Sequence, residues 1–211
     1  IVFREPDWEQ PILNLFFMTN QHGLALGAYG LVLETRDGGS TWEERTLFDG
    51  DSHLYASARL ADGTLLIAGE FGTLLRSQDD GETWEELDSP YGGTFFGLAA
   101  PSADQPDEPV LVFGLQGHVF ATTDQGDSWT EVETGLANGL YRAIRDQAGQ
   151  AIILGHGGLI LMDRDPSPSF DWETMIRPAR KPLAGGLPLG GGDFLIYGET
   201  GLQRLNLGTG S

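Results

Sequence analysis

The sequence predicts an all-β chain folded as a five-bladed β-propeller of four-stranded antiparallel blades. Three observations carry the prediction. The 211 residues repeat at a period of about 43. Each repeat holds a glycine pair between two short apolar runs. All five tryptophans, Trp8, Trp42, Trp84, Trp129 and Trp172, fall in one slot of the repeat.

Within a repeat the elements follow in a fixed order. An apolar stretch comes first ("ILNLFFM", "LYASARL", "TFFGLAA", "LYRAIRD", "PLAGGLPL") and is read as strand A. Strand B ("LAL", "LLIA", "VLVF", "AIIL", "FLIY") and strand C ("LVLET", "TLLRS", "HVFATT", "LILM", "LQRLNL") flank the glycine pairs. These pairs, "GAYG" (27–30), "GEFG" (69–72), "GLQG" (114–117), "GHGG" (155–158) and "GETG" (198–201), have the pattern of tight hairpins. An Asp-Gly turn follows, then strand D with its tryptophan. No segment keeps a 3.6-residue period over three turns, so helix is not expected.

The repeats delimit one domain over 1–211, with blades near 12–46, 53–88, 94–134, 139–176 and 182–211, the last completed by 1–10. Trp8 precedes the first A strand, while the last repeat stops after strand C. An N-terminal strand D joining the C-terminal strands A to C would close the ring and remove its exposed edges. A longer chain with six to eight blades is the alternative.

At 40% hydrophobic and 10% aromatic, the chain is long enough for one packed core. No apolar run approaches the roughly 20 residues needed to cross a bilayer. The start "IVFREPDWEQ" lacks the basic and apolar regions of a signal peptide. Cysteine is absent, which excludes disulfides and thiolate metal sites. His22, His53, His118 and His156 show no metal-ligand spacing, so neither a metal nor another cofactor is expected. With 31 acids against 12 bases and a net charge of -19, the chain repels a phosphate backbone, which argues against a nucleic-acid partner.

Three turns, "TRDGGSTW" (35–42), "SQDDGETW" (77–84) and "TTDQGDSW" (122–129), share the form Ser/Thr-x-Asp-x-Gly-x-x-Trp. They look like Asp boxes, the motif of bacterial neuraminidase (BNR) repeats. Asp37, Asp79 and Asp124 are placed to accept backbone N–H groups, and Gly39, Gly81 and Gly126 to take a positive φ. Trp42, Trp84 and Trp129 are placed to pack between blades. The role is structural, since the turn offers too few oxygens for a calcium cage. A fourth copy, "DRDPSPSFDW" (163–172), is stretched by two residues, and the copy split across the termini has no Asp-Gly turn.

Through "LFFMTNQHGLALGAYGLVLETRDGGSTWEE" (15–44) and the repeats after it, nearly the whole chain resembles the photosystem II stability and assembly factor family. These are luminal propellers of cyanobacteria and plastids, with relatives in non-photosynthetic bacteria. The resemblance implies a non-enzymatic propeller of about seven blades, located in the lumen or periplasm. It implies a protein partner, a subunit of a membrane-protein complex, bound during assembly through arginines on one surface and without direct membrane insertion.

Asp boxes also occur in sialidases, so a secreted glycan-active protein, a sialidase-like glycosidase or a lectin, is the alternative. Such a glycosidase needs three arginines around a carboxylate, a Tyr nucleophile with an acidic partner, and an Asp acid at the propeller mouth. "FREP" (3–6) is similar to a Phe-Arg-Ile-Pro segment of those enzymes. Here Arg4 falls beside Trp8 on the perimeter, and no catalytic residue is assigned.

Propellers bind at the channel mouth and on the loops of one face. With strand A innermost, the D–A loops and B–C turns share one face, and the A–B loops and Asp boxes the other. The first face holds Tyr29, Phe71, His156 and Glu199 on B–C turns, with Arg177, Arg180 and Lys181 in "IRPARKP". Arg59 and Arg145 share a slot of strand A, with Arg142 nearby. Arg59, Arg142, Arg145, Arg177, Arg180, Lys181, Tyr29 and Phe71 are therefore the candidate binding residues, a cationic and aromatic patch on an anionic body. Salt bridges to the many acids are the alternative role for the arginines. The acidic insertion "PSADQPDEP" (101–109) is read as a solvated loop.

Overall fold

The computed structural model describes residues 10–101, 105–145, 150–163 and 170–208. They form five antiparallel sheets, each a meander in chain order. Sheet one contains β1 (Ile12–Phe17), β2 (Gly23–Gly27), β3 (Val32–Thr35) and β4 (Glu43–Glu44). Sheet two contains β5 (Leu54–Arg59), β6 (Leu65–Gly69), β7 (Leu74–Ser77) and β8 (Glu85–Glu86). Sheet three has β9 (Phe95–Ala99), β10 (Val110–Gly114), β11 (Val119–Thr122) and β12 (Thr130–Glu131). Sheet four has β13 (Leu140–Arg145), β14 (Ala151–Gly155), β15 (Leu159–Asp163) and β16 (Trp172–Ile176). Sheet five has β17 (Leu183–Gly190), β18 (Asp193–Gly198) and β19 (Gly201–Asn206) among the described residues. The first strands, β1, β5, β9, β13 and β17, lie innermost and pack side by side in that order.

The second strands explain this radial arrangement. "GLALG", "LLIAG", "VLVFG" and "AIILG" are apolar at consecutive positions, so both faces need cover. Every residue of β2, β6, β10 and β14 is buried. The cover comes from the adjacent sheets. Leu24 and Leu26 meet Leu54, Leu65 and Ile67, Ala56 and Ala68 meet Phe95 and Val112, Leu111 and Phe113 meet Leu140 and Ile153, and Ile152 and Leu154 meet Leu183 and Phe194. Each Leu, Ile, Val or Phe among them contributes about 1.5–3 kcal/mol when fully buried. The outer strands β4, β8 and β12 have two residues each and carry glutamates, which blunts them against pairing with other chains.

The ends of the array differ. The strand expected to close the ring, around Trp8, lies outside the described residues, and on the flanks it was expected to bring together apolar side chains are exposed. Ile12 is 46% exposed, whereas Leu54, Phe95, Leu140 and Leu183 in the same slot are 0–2% exposed. On the far side Leu187 is 60% exposed, where Ala58 and Ala99 are buried. Among the described residues sheet five thus has one well-packed face, and β18 alternates between buried Phe194 and Ile196 and half-buried or exposed neighbours.

The three intact Asp boxes share one hydrogen-bond set, and Asp79 shows it. Its Oδ1 accepts the Ser77 hydroxyl and the Thr83 N–H, each at 2.8 Å, and its Oδ2 accepts the Thr83 hydroxyl at 2.5 Å. Gly81, at φ +87°, donates its N–H to Ser77 Oγ at 2.9 Å. Asp37 uses Thr35 and Thr41, and Asp124 uses Thr122 and Ser128, in the same way. Trp84 joins the cluster between sheets one and two, and Trp129 that between sheets two and three. Trp42 instead packs against its own sheet and Phe17.

Two predictions follow from these contacts. Gly72 takes φ +74°, and a Cβ there would lie 2.2 Å from the Tyr91 carbonyl oxygen, whereas one at Gly92 would meet nothing within 4 Å. Gly72→Ala is expected to cost about 2 kcal/mol or more in urea unfolding, and Gly92→Ala to stay within about 0.5 kcal/mol. The second concerns acid. Hydrogen bonds from the hydroxyl and N–H of Thr41 and Thr83, and from the Ser128 and Thr122 hydroxyls, hold Asp37, Asp79 and Asp124 at about 2, below their ordinary 3.8. Folding therefore favours the deprotonated form, so this stabilisation is complete above about pH 4 and drains away as pH falls toward 2. Thermal melts across that window should fall steeply for the native chain. They should fall less steeply for Asp79→Asn, which starts from a lower melting temperature at pH 7.

Candidate functional site

In all five sheets the second residue of the innermost strand drops out of the ladder. The register skips Leu13, Tyr55, Phe96, Tyr141 and Ala184. Each is a β-bulge, which bends the strand and re-aims the bulged side chain. The glycine pairs hold the bulges in place. The N–H after the first glycine donates to the carbonyl preceding strand A, as in Ala28 to Pro11 (3.1 Å), Glu70 to His53 (3.0 Å) and Leu115 to Thr94 (2.9 Å). His156 to Gly139 (2.8 Å) and Glu199 to Pro182 (3.3 Å) repeat the contact. The approach leaves no room for a side chain, since a Cβ at Gly114 would lie 2.0 Å from the Thr94 oxygen.

The five bulged residues line one cavity of about 370 Å³ at the axis, together with Arg142, Leu183 and Glu199. Phe96 stands edge-to-face between Tyr55 and Tyr141, with ring centroids at 5.3 and 5.4 Å. The aromatic arc continues through His53, 6.1 Å from Tyr55, to Tyr29 at 4.6 Å. The phenols are tied to the rim, Tyr55 donating to Glu70 Oε1 at 3.2 Å and Tyr141 lying 3.5 Å from His156 Nδ1. Burial, and then the Glu70 carboxylate, raise the Tyr55 phenol above its ordinary value, so it remains a donor.

The structure divides the candidate binding residues between two faces. Arg142 is exposed, lines the cavity and has no carboxylate partner among the described residues. Tyr29 and Phe71, both at φ 54° and 65–74% exposed, stand on B–C turns of the same face. That face also holds Lys181, paired with Glu199 at 3.0 Å, Arg177, hydrogen-bonded to Gln203, and Arg180. Arg59 and Arg145 do not join them. They sit at the far ends of β5 and β13, where Arg59 binds Asp80 (2.9 Å) and the Met18 carbonyl (2.7 Å), and Arg145 binds Glu108 (2.6 Å). One patch containing all eight residues is therefore corrected, because the strand length separates its members.

Sequence reasoning missed Tyr55, Phe96 and Tyr141. A signal was present: each follows another large apolar residue, Leu54, Phe95 or Leu140, which breaks strand alternation where the bulge occurs. It also missed the second Asp-box hydroxyl, Thr41, Thr83 or Ser128, directly before each tryptophan. Among the described residues no cluster of three or more His, Asp or Glu could hold a metal, and no helix is long and apolar enough to cross a membrane. One arginine lines the cavity among those residues, so the three-arginine clamp of a sialidase-like site is not assembled there.

Comparison with known proteins agrees with this architecture. Residues 5–94 match the family described as Photosynthesis system II assembly factor YCF48. The photosystem II assembly lipoprotein Ycf48 of Prochlorococcus marinus is 57% identical over 35 residues, 17% of this chain and 10% of that protein. A solved structure of YCF48 bound to D1 peptide superposes with a TM-score of 0.67 at 21% identity, over 93% of this chain and 67% of that one. The virginiamycin B lyase of Staphylococcus aureus superposes with a TM-score of 0.78 at 16% identity, over 96% of this chain and 69% of that one. The curated match thus covers a tenth of its relative, and the solved structures establish the fold alone. On its repeats, its Asp boxes and these matches, the chain is a BNR/Asp-box β-propeller protein that resembles the photosystem II assembly factor Ycf48 family.

Proposed function

We propose that this chain is a non-enzymatic assembly scaffold that holds a segment of a membrane-protein complex subunit at the axial mouth and on the D–A/B–C face. We place it outside the cytoplasm, in a lumen or periplasm. The observation that carries the reading is Arg142, an exposed cation without a carboxylate partner among the described residues, set beside an aromatic cavity in a chain of 31 acids. A cation left free where neutralising groups abound is available to an incoming carboxylate. Tyr29 and Phe71 support the same face, because both rings stand 65–74% exposed on its B–C turns and offer apolar surface to a partner. A YCF48 protein bound to D1 peptide has this fold and holds a peptide. Arg59 and Arg145 act as struts between neighbouring sheets.

Affinity capture from detergent-solubilised membranes of the source organism tests the reading. The native chain should retain a defined subunit of a membrane complex, and Arg142→Ala should retain about ten-fold less. Arg59→Ala and Arg145→Ala should capture normally and melt at lower temperature. Capture unaffected by Arg142→Ala would remove the mouth from the proposal. Turnover of a fluorogenic sialoside or a specific glycan-array signal would favour the glycan-active alternative.

A further inference from the structure

We propose that the five bulged positions form a specificity pocket for one large apolar side chain on an extended partner segment, with Arg142 receiving a carboxylate next to it. The inference rests on the reading of the mouth as a protein-binding site and names what the mouth selects.

The pocket is built by the fold rather than left over from it. A bulge interrupts the ladder at the same slot of all five innermost strands, so five side chains reach one cavity that regular pairing would have turned aside. Their chemistry is one-sided. Phe96, Tyr55 and Tyr141 wall three consecutive sheets, while Leu13 and Ala184 leave the other two sides low. The tyrosine hydroxyls point to rim partners, Glu70 and His156, and the rings are left to form an apolar wall. Their mutual tilt of 65–67° makes a cup, not the flat platform on which a sugar stacks.

Size and charge narrow the occupant further. A volume of about 370 Å³ lies near the lower end of ligand pockets, room for one large side chain and its own backbone. Of the charged groups at the wall, Glu199 is paired with Lys181, and Arg142 has no such partner among the described residues. The selected segment therefore pairs a Leu-, Met- or Phe-sized side chain with an adjacent Asp, Glu or terminal carboxylate.

Panning a random heptapeptide display library on the immobilised chain tests this. The native chain should enrich sequences with a large apolar residue next to an acid. Phe96→Ala should lose the apolar preference and keep the acidic one, and Arg142→Ala should do the reverse. Ala184→Phe, at an exposed position, should fill the cavity and lower binding of the enriched peptides at least ~10-fold without the packing loss that Phe96→Ala risks. Enrichment without an apolar position, or peptide binding unchanged in Ala184→Phe, would overturn the pocket while leaving a protein-binding mouth in place. No enrichment over a heat-unfolded control, together with failed membrane capture, would overturn both.

Discussion

One backbone contact organises this molecule: the amide after the first glycine of each B–C pair donates to the carbonyl just ahead of strand A. It fastens the outer end of a hairpin to the start of the innermost strand, and it does so in all five sheets. Because the two backbones come so close, the first glycine has no substitute in sheets two to five and a tight fit in sheet one, where a Cβ at Gly27 would stand 3.0 Å from the Pro11 oxygen. A Cβ at Gly69 or Gly198 would stand 2.4 or 2.2 Å from the facing carbonyl oxygen. Strand A, held there, regains register with strand B only by leaving one residue out. The bulge, and hence the aromatic mouth, is a consequence of the hairpin clamp, so a motif that looks like ordinary turn chemistry sets the geometry of the binding face.

The fold was legible because a blade is a local object. Each strand pairs with the next in the chain, so a repeat of apolar runs, glycine pairs and Asp-Gly turns specifies the sheet without long-range information. Burial on both faces was legible as well, in the consecutive apolar residues of β6 and β10. What repeats cannot specify is what happens where they stop. Ile12 and Leu54 occupy the same slot, yet one is half exposed and the other fully buried, because only Leu54 has a preceding sheet among the described residues.

The candidate site was legible only in part, for a geometric reason. Arg59 and Arg145 share a slot in the repeat, but a shared slot does not fix the end of the strand on which it lies. Arg142 and Arg145 are three residues apart in β13, and that interval separates the cavity from the Asp-box face. The aromatic arc was harder still. A bulge changes pairing, and pairing is a property of two strands that appears in one only as a doubled apolar residue such as Phe95-Phe96.

The two faces then divide their labour by how their polar groups are spent. On the Asp-box face, each box aspartate has both oxygens occupied by the hydroxyls and N–H of its own turn. Arg76 is drawn to Glu85 of its own sheet and to Asp127 of the next, and Arg59 to Asp80 of its own sheet and the Met18 carbonyl of the one before, so cations there are consumed within and between sheets. A surface satisfied in this way has little left to offer a partner, since any new contact must displace an existing one. The mouth is the reverse case. Its phenols are anchored, its rings are half-buried and not covered, and Arg142 faces solvent. Binding there replaces water alone, so the bulged end of the innermost strands is better suited to a partner than the motif that repeats most visibly.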